Sequence, residues 1–190
     1  MHRLQLLTLL SHYTTRFMDE AAFVKNTLDF VQQHENCFDR ELQIGHVTGS
    51  AWVVSRDRQQ VLLLHHKKLD QWFQPGGHAD GEADIVHVAL KETAEESGLP
   101  EEAIHLVSDA LFDVDIHTIA ANLHDNRHLH FDIRFLVEVD ERLPVPGNDE
   151  SHQILWVPLY RTLQFNNNRS TYRMLEKTRR LQLHHFARSI

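Results

Sequence analysis

Lys91-Glu92-Thr93-Ala94-Glu95-Glu96-Ser97-Gly98-Leu99 sets three glutamates at i, i+3 and i+4. On a helix those side chains leave from one face. Like charges so spaced repel one another and cost an isolated helix stability. A divalent cation removes that cost, and carboxylate oxygens are the ligands that Mg²⁺ and Mn²⁺ prefer. On the glutamates alone, a solvated acidic helix face is the plainer reading.

The residues upstream change that weighing. Pro75-Gly76-Gly77 through Gly81 form a glycine-rich loop. Glycine lets backbone approach a ligand closely and turn sharply, and a helix N-terminus offers free N–H groups to an anion. Asp84 is placed to cap a helix over about 84–97. Gly98 stands where a left-handed C-terminal cap belongs, with Pro100 beyond it. A phosphate-friendly loop beside a metal-friendly acidic face is a pairing that ordinary surface helices have little reason to show.

Further out, Ala51-Trp52-Val53-Val54 and Val61-Leu62-Leu63-Leu64 are β-rich runs joined by a charged hairpin connection over 56–60. Two more strands are expected at about 109–119 and 128–139, joined by the polar loop Asn122 to Arg127. A last strand is expected at Ile154-Leu155-Trp156-Val157. Ala21, Phe23, Val24, Leu28 and Val31 recur at helical spacing, so residues 1 to about 35 read as two helices. A C-terminal helix is expected over about 170–187, with Ser170 or Thr171 as its cap. Strands and helices without regular βαβ alternation point to α+β with a mixed sheet.

Composition narrows the function classes. The chain has 190 residues, 42% hydrophobic and 24% charged, with 27 acidic against 19 basic residues and a net charge of −8. That balance argues against a nucleic-acid polymer as partner, because polymer binding needs a basic face. It leaves room for small phosphorylated ligands, since a bound metal reverses the local charge. Cys37 is the only cysteine, which fits a reducing, cytoplasmic setting and reads as a small buried hydrophobe. The apolar run Leu4 to Leu10 is too short to span a membrane, so no membrane partner is expected.

The stretch Gly77 to Leu99 resembles the Nudix box, G-x5-E-x7-R-E-(apolar)-x-E-E-x-G-(apolar). Gly77, Glu92, Glu95, Glu96, Gly98 and Leu99 match it. Ala83 stands where the first glutamate belongs, Lys91 replaces the arginine, and Thr93 replaces an apolar residue. The spacing is intact. The Trp156-Val157-Pro158-Leu159 ending, the helical N-terminal extension and the form Gly76-Gly77-His78-Ala79-Asp80-Gly81 extend the likeness. The resemblance implies an α/β/α sandwich spanning 44–165, flanked by an extension over 1–43 and a C-terminal helix over 166–190. It implies a hydrolase that uses Mg²⁺ or Mn²⁺ to cleave a pyrophosphate bond in a small-molecule diphosphate, such as a nucleoside diphosphate linked to another moiety. Implied metal ligands are the Gly76 carbonyl, Glu92, Glu95 and Glu96, one of these glutamates also activating water. Lys91, paired with Glu82 or Asp84, is implied to orient the glutamates, as a point charge in place of a two-pronged fork. Glu150, just before the last strand, is the choice for the further carboxylate that such enzymes recruit.

Other features remain open at this level. Histidine is over-represented, with 16 residues. His128, His130 and Asp132 alternate along one strand face, as do Asp113, Asp115 and His117 along its expected neighbour. A polar outer face of a half-exposed sheet is the first reading; a pocket lining or another metal site is the second. Trp72, Phe73 and Trp156 are of a kind to stack on a base, but such residues more often belong to the core. The C-terminal helix, with Arg173, Lys177, Arg179 and Arg180 beside Leu175 and Leu181, reads as amphipathic and solvated, with a homodimer contact second. Two rivals to the hydrolase are a Nudix-fold binding module without turnover and an isoprenoid diphosphate isomerase. The isomerase calls for an active-site cysteine, and Cys37 lies before the domain.

Overall fold

Alternating apolar residues in the middle of the chain build the sheet, and everything else packs on its two faces. The computed structural model describes residues 2–121 and 126–188, with side chains through Gln182. Two helices open the chain, α1 (Leu4–His12) and α2 (Met18–Gln33). Strands β1 (Gly45–Ser55), β2 (Gln60–His66), β3 (Gln71–Phe73) and β4 (Gly76–His78) follow, then α3 (Ile85–Ser97). Next come β5 (His105–Leu106), β6 (Asp113–Ile119), β7 (His128–Val139) and β8 (Ser151–Pro158). The short α4 (Thr162–Phe165) and the long α5 (Arg169–Arg188) close the described chain.

The eight described strands form one mixed sheet, with β1 and β7 as its parallel spine from Gly45↔Leu129 to Ser55↔Val139. The other edge of β1 divides. Its far end pairs with β2 at Val54↔Val61, as the hairpin predicted. Its near end pairs with β4 over Thr48↔His78, Gly49↔Gly77 and Ser50↔Gly76. The glycine loop is thereby clamped in the middle of the sheet.

Side-chain alternation sends β1 residues to opposite faces. Val47 packs with Ile133, Val88, Ala89 and the α1–α2 residues Leu6, Leu10, Phe30 and Val31. Trp52 packs on the other face with Leu136, Met174 and Leu175, and its indole N–H donates to Thr178 Oγ1 at 3.0 Å. Helices thus cover both faces, giving the expected α/β/α sandwich. The buried face of α5 is spent on its own sheet, which favours the intramolecular reading of that helix. Cys37 is buried as a core residue. Trp72 and Trp156 are only partly buried and pack at the edges of the clusters.

Two expectations need correction. The strand predicted from about 109 begins at Asp113, because Leu111 and Phe112 turn inward first. The start of α5 is capped by Asn168, whose Oδ1 accepts from Thr171 N at 2.7 Å and from Ser170 Oγ at 3.0 Å, and not by Ser170 or Thr171. Most of the loop predicted between the two long strands, residues 122–125, lies outside the described residues. No helix among the described residues is long and apolar enough to cross a membrane.

Asp113, Asp132 and Arg134 of β6 and β7 are buried, contrary to the outer-face reading, while Asp115, His128 and His130 are part-buried and His117 is exposed. Asp113 is fully buried. It accepts from Arg134 Nη1 at 3.2 Å, Arg173 Nη2 at 3.0 Å and Lys177 Nζ at 2.7 Å. Burial alone would push its carboxyl up, but those cations hold it below the usual carboxylate range. Arg173 also reaches Asp115 at 2.9 Å and Asp19 of α2 at 2.9 Å, and Lys177 reaches Glu20 of α2. Arg173 and Lys177, read as solvated in the sequence, are therefore the ties between α5, the sheet edge and α2, whereas Arg179 and Arg180 are exposed as expected. Removing one partner of a buried ion network costs about 3–5 kcal/mol, because the others stay buried and unpaired. Asp113→Ala should lower the urea unfolding free energy by about that amount. Asp29→Ala, in the exposed pair with Lys25, should leave it unchanged. Equal effects in both variants would mean that the buried network adds nothing special.

Candidate active site

Three glycines shape the site. Gly76 and Gly77 lie on β4, where a Cβ at Gly76 would collide with Cβ and Cα of Ser50 and one at Gly77 with the Glu92 carboxylate. Only glycine lets β4 lie this close to both β1 and α3. Asp80 and Gly81 then turn with positive φ of 50° and 85°. The N-terminal segment braces this turn: Arg40 grips both oxygens of Asp80, and Gly81 N donates to Phe38 O at 3.1 Å. Asp84 caps α3 as expected, its carboxylate accepting from His87 N at 3.2 Å. Gly98 ends the helix in the left-handed conformation, φ 72°.

The helix then delivers its glutamates unequally. Glu92 lies against Gly77. Glu96 is 8% exposed, and its Oε2 accepts from Gly76 N at 2.8 Å. Burial pushes the Glu96 carboxyl up to about 8, against the pull of the Gly76 N–H and with help from the charges of Glu92, Glu150 and Glu95. Burial and Glu95 push Glu92 up as well. Glu95 itself is exposed and pairs with Lys91 at 3.5 Å. Glu150 is exposed, but its charge is felt at both Glu92 and Glu96. The structure thus sets Glu92 and Glu96 against Gly77 and Gly76, with Glu95 and Glu150 near enough for their charges to be felt at both.

The supporting residues differ from expectation in one respect. Lys91 bonds Glu95 in place of Glu82 or Asp84. Glu82 instead accepts from Asp84 N at 2.9 Å, so both flanking carboxylates are spent on shaping the helix start. Thr93 occupies its apolar position without penalty, because its buried hydroxyl donates to Ala89 O at 2.7 Å. Ala83 packs against the main core cluster.

The opposite face of β4 carries different chemistry. Asp132 is not available to a ligand: Thr48 and Ser50 hydroxyls donate to its Oδ1 at 3.2 and 2.9 Å, and Arg134 Nε to its Oδ2 at 2.6 Å. Beside it His46, His78, His128 and His130 pack with ring centroids 4.8–5.2 Å apart. Burial and the neighbouring histidines push His46 down to about 4 and His130 down to about 2, so both rings are neutral. His46 and His78 were absent from the cluster drawn on the sequence. The signal was present as alternation in His46, Thr48 and Ser50, but only the β1–β7 register places it beside His130, Asp132 and Arg134.

Comparison with known proteins agrees with this geometry. The NUDIX domain profile matches residues 46–177. Among curated proteins no sequence match was found. A Caenorhabditis elegans Ap4A hydrolase, solved as a binary complex, aligns with TM-score 0.58 at 17% identity, covering 76% of this chain and 98% of that one. A NUDIX-family hydrolase from Clostridium perfringens aligns with TM-score 0.53 at 24% identity, covering 72% and 97%. The Escherichia coli dihydroneopterin triphosphate pyrophosphohydrolase aligns with TM-score 0.54 at 14% identity, covering 69% and 92%. At these identities the solved structures speak for the fold, while the profile covers most of the chain, including the glycine strand and the three glutamates: the protein belongs to the Nudix family of pyrophosphohydrolases.

Proposed function

We propose that this pyrophosphohydrolase acts on a small-molecule diphosphate, such as a nucleoside diphosphate linked to a second moiety, with Mg²⁺ or Mn²⁺ held by the Gly76 carbonyl, Glu92, Glu95 and Glu96. The observation that carries this reading is Glu96. A carboxylate buried against Gly76, beside Glu92 and within range of Glu95 and Glu150, pairs with no cation among the described residues. The donor set is all oxygen, which suits a hard divalent cation. The missing Cβ of Gly77 leaves the space that Glu92 uses.

When bound, the cation neutralises the diphosphate oxygens and acidifies water. The chain's own residues do the rest. Glu96 is held by the Gly76 N–H and Glu92 lies against Gly77, which positions their carboxylates before substrate arrives. Lys91 holds Glu95 at the rim. Glu150, exposed and with its charge felt at Glu92 and Glu96, is the residue we assign to proton abstraction, which requires reach to the attacking water. The helical N-terminal segment keeps the glycine turn in shape through Arg40 and Phe38. Buried, unpaired Cys37 supports placement in a reducing cytoplasm.

The test is turnover on a panel of nucleoside diphosphate derivatives and dinucleoside polyphosphates, with Mg²⁺ and with Mn²⁺. Glu92→Gln and Glu96→Gln should abolish metal-dependent cleavage. Tight binding of one ligand without turnover by the wild type would instead establish a binding module. Glu150→Gln should lower kcat by about 10²–10⁴-fold with metal affinity nearly intact, and an unchanged rate removes Glu150 from the mechanism.

Stability without metal should move the other way. The Glu96 carboxyl is raised from 4.5 to about 8. Its contribution to stability is therefore fully present below 4.5 and is lost as pH rises through 8. Glutamine keeps an acceptor for Gly76 N–H and carries no charge. Glu96→Gln should melt higher than the metal-free wild type at pH 8, by about 2–4 °C for each kcal/mol relieved, and the gap should close toward pH 5. A melting temperature lowered at both pH values would refute the assignment of electrostatic strain to Glu96.

A further inference from the structure

Pyrophosphate hydrolysis makes no use of the histidines on the far face of β4. His46, His78 and His130 each present a ring nitrogen, and those atoms lie within 4.8 Å of one another. His46 is 2% exposed, and neither of its ring nitrogens has a hydrogen-bond partner. An unsatisfied buried polar group costs about 1–3 kcal/mol, so a ring with two such atoms, facing three other imidazoles, is a poor choice for mere packing.

His128 supplies the second clue. Its Nδ1 lies 2.7 Å from Asn126 O. A carbonyl only accepts, so Nδ1 is the donor, and in the neutral ring Nε2 is the nitrogen that carries the lone pair. That is the arrangement of a metal-ligating histidine whose other nitrogen is held by a carbonyl. That Nε2 lies 3.3 Å from Nε2 of His130, within hydrogen-bond range, so the two nitrogens already face one another. Two nitrogens bound at about 2.0–2.1 Å to one tetrahedral centre stand about 3.4 Å apart.

We propose that His46, His78, His128 and His130 bind one borderline divalent transition metal, of the Zn²⁺ class, at a site distinct from the glutamate site. The selectivity follows from what surrounds the rings. Imidazole nitrogen suits zinc, cobalt and nickel, whereas magnesium and calcium require oxygen donors. The nearby carboxylates of Asp115 and Asp132 are already engaged by Arg134 and Arg173, so the site offers nitrogen. Three backbone segments fix the donors: His46 stands opposite His130 on β1 and β7, and His78 opposite Thr48 on β4 and β1. Rotation of the rings about Cβ–Cγ draws the widest nitrogen pair inward. The bound metal ties β4, two residues beyond Gly76, to the β1–β7 spine.

The experiment is equilibrium dialysis of the full chain against Zn²⁺ in excess Mg²⁺, with bound zinc counted by mass spectrometry and Co²⁺ substitution read in the visible spectrum. The wild type should retain one zinc per chain and show the bands of nitrogen-coordinated Co²⁺. His46→Gln and His130→Gln should each lose at least about 10-fold in zinc affinity, the loss typical even of groups that only support a ligand. His78→Gln, half-exposed and easier to accommodate, should do the same with an unchanged circular dichroism spectrum. Exposed His87→Gln and His105→Gln should bind as the wild type does. Glu92→Gln with Glu96→Gln should also keep its zinc, which separates this site from the hydrolytic one. Failure of the wild type to retain zinc, or equal retention by the His46, His78 and His130 variants, would overturn the proposal.

Discussion

The buried carboxylate of Asp113 is the constraint around which the polar half of this molecule is arranged. A carboxylate with no exposure is tolerated only when paired and hydrogen-bonded. Its partners come from β7 through Arg134 and from α5 through Arg173 and Lys177. Those same cations carry Asp19 and Glu20 of α2 with them. One buried charge therefore fixes how the N-terminal helices, the sheet edge and the C-terminal helix meet. It also has a local consequence. Arg134 engages Asp115 and Asp132 as well, so the carboxylates of this face are committed to the protein, and imidazoles are what the face has left to offer.

Strand β4 turns that arrangement into two chemically different sides. Because successive residues point to opposite faces, the missing side chain of Gly77 makes room for Glu92 under α3, while His78 faces His46 and His130. Oxygen donors gather on one side and nitrogen donors on the other, with only a three-residue strand between them. The division of the β1 edge between β2 and β4 is what leaves such a short strand in the middle of the sheet.

Much of this was legible in the sequence where the signal is local. Helix α3, its Asp84 cap and its Gly98 stop are written within one stretch, and so is the crowding of Glu92, Glu95 and Glu96. The β1–β2 hairpin is equally local. What could not be read depends on pairing between distant segments. The polar alternation of β6 and β7 looks like a solvated face until α5 is laid across it, and the basic residues of α5 look solvated for the same reason. His46 and His130 become neighbours only through a parallel ladder joining segments more than eighty positions apart. The Lys91–Glu95 pair shows a smaller limit: spacing allowed several partners for Lys91, and the helical i,i+4 neighbour took precedence.

The position of β4 also bears on how well the hydrolytic groups are held. Its described backbone pairing is with β1 alone, so a single ladder of three residue pairs sets the Gly76 carbonyl. The remaining constraints come from side chains at either end. Glu96 takes the Gly76 N–H, and that bond is weakened whenever the buried carboxyl is protonated, because a neutral acceptor is the poorer one. Arg40 and Phe38 hold the turn beyond His78. A strand held so lightly on the acidic side gains most from an anchor on the opposite face, and the imidazole cluster is the only group of three or more metal-competent side chains among the described residues that stands there.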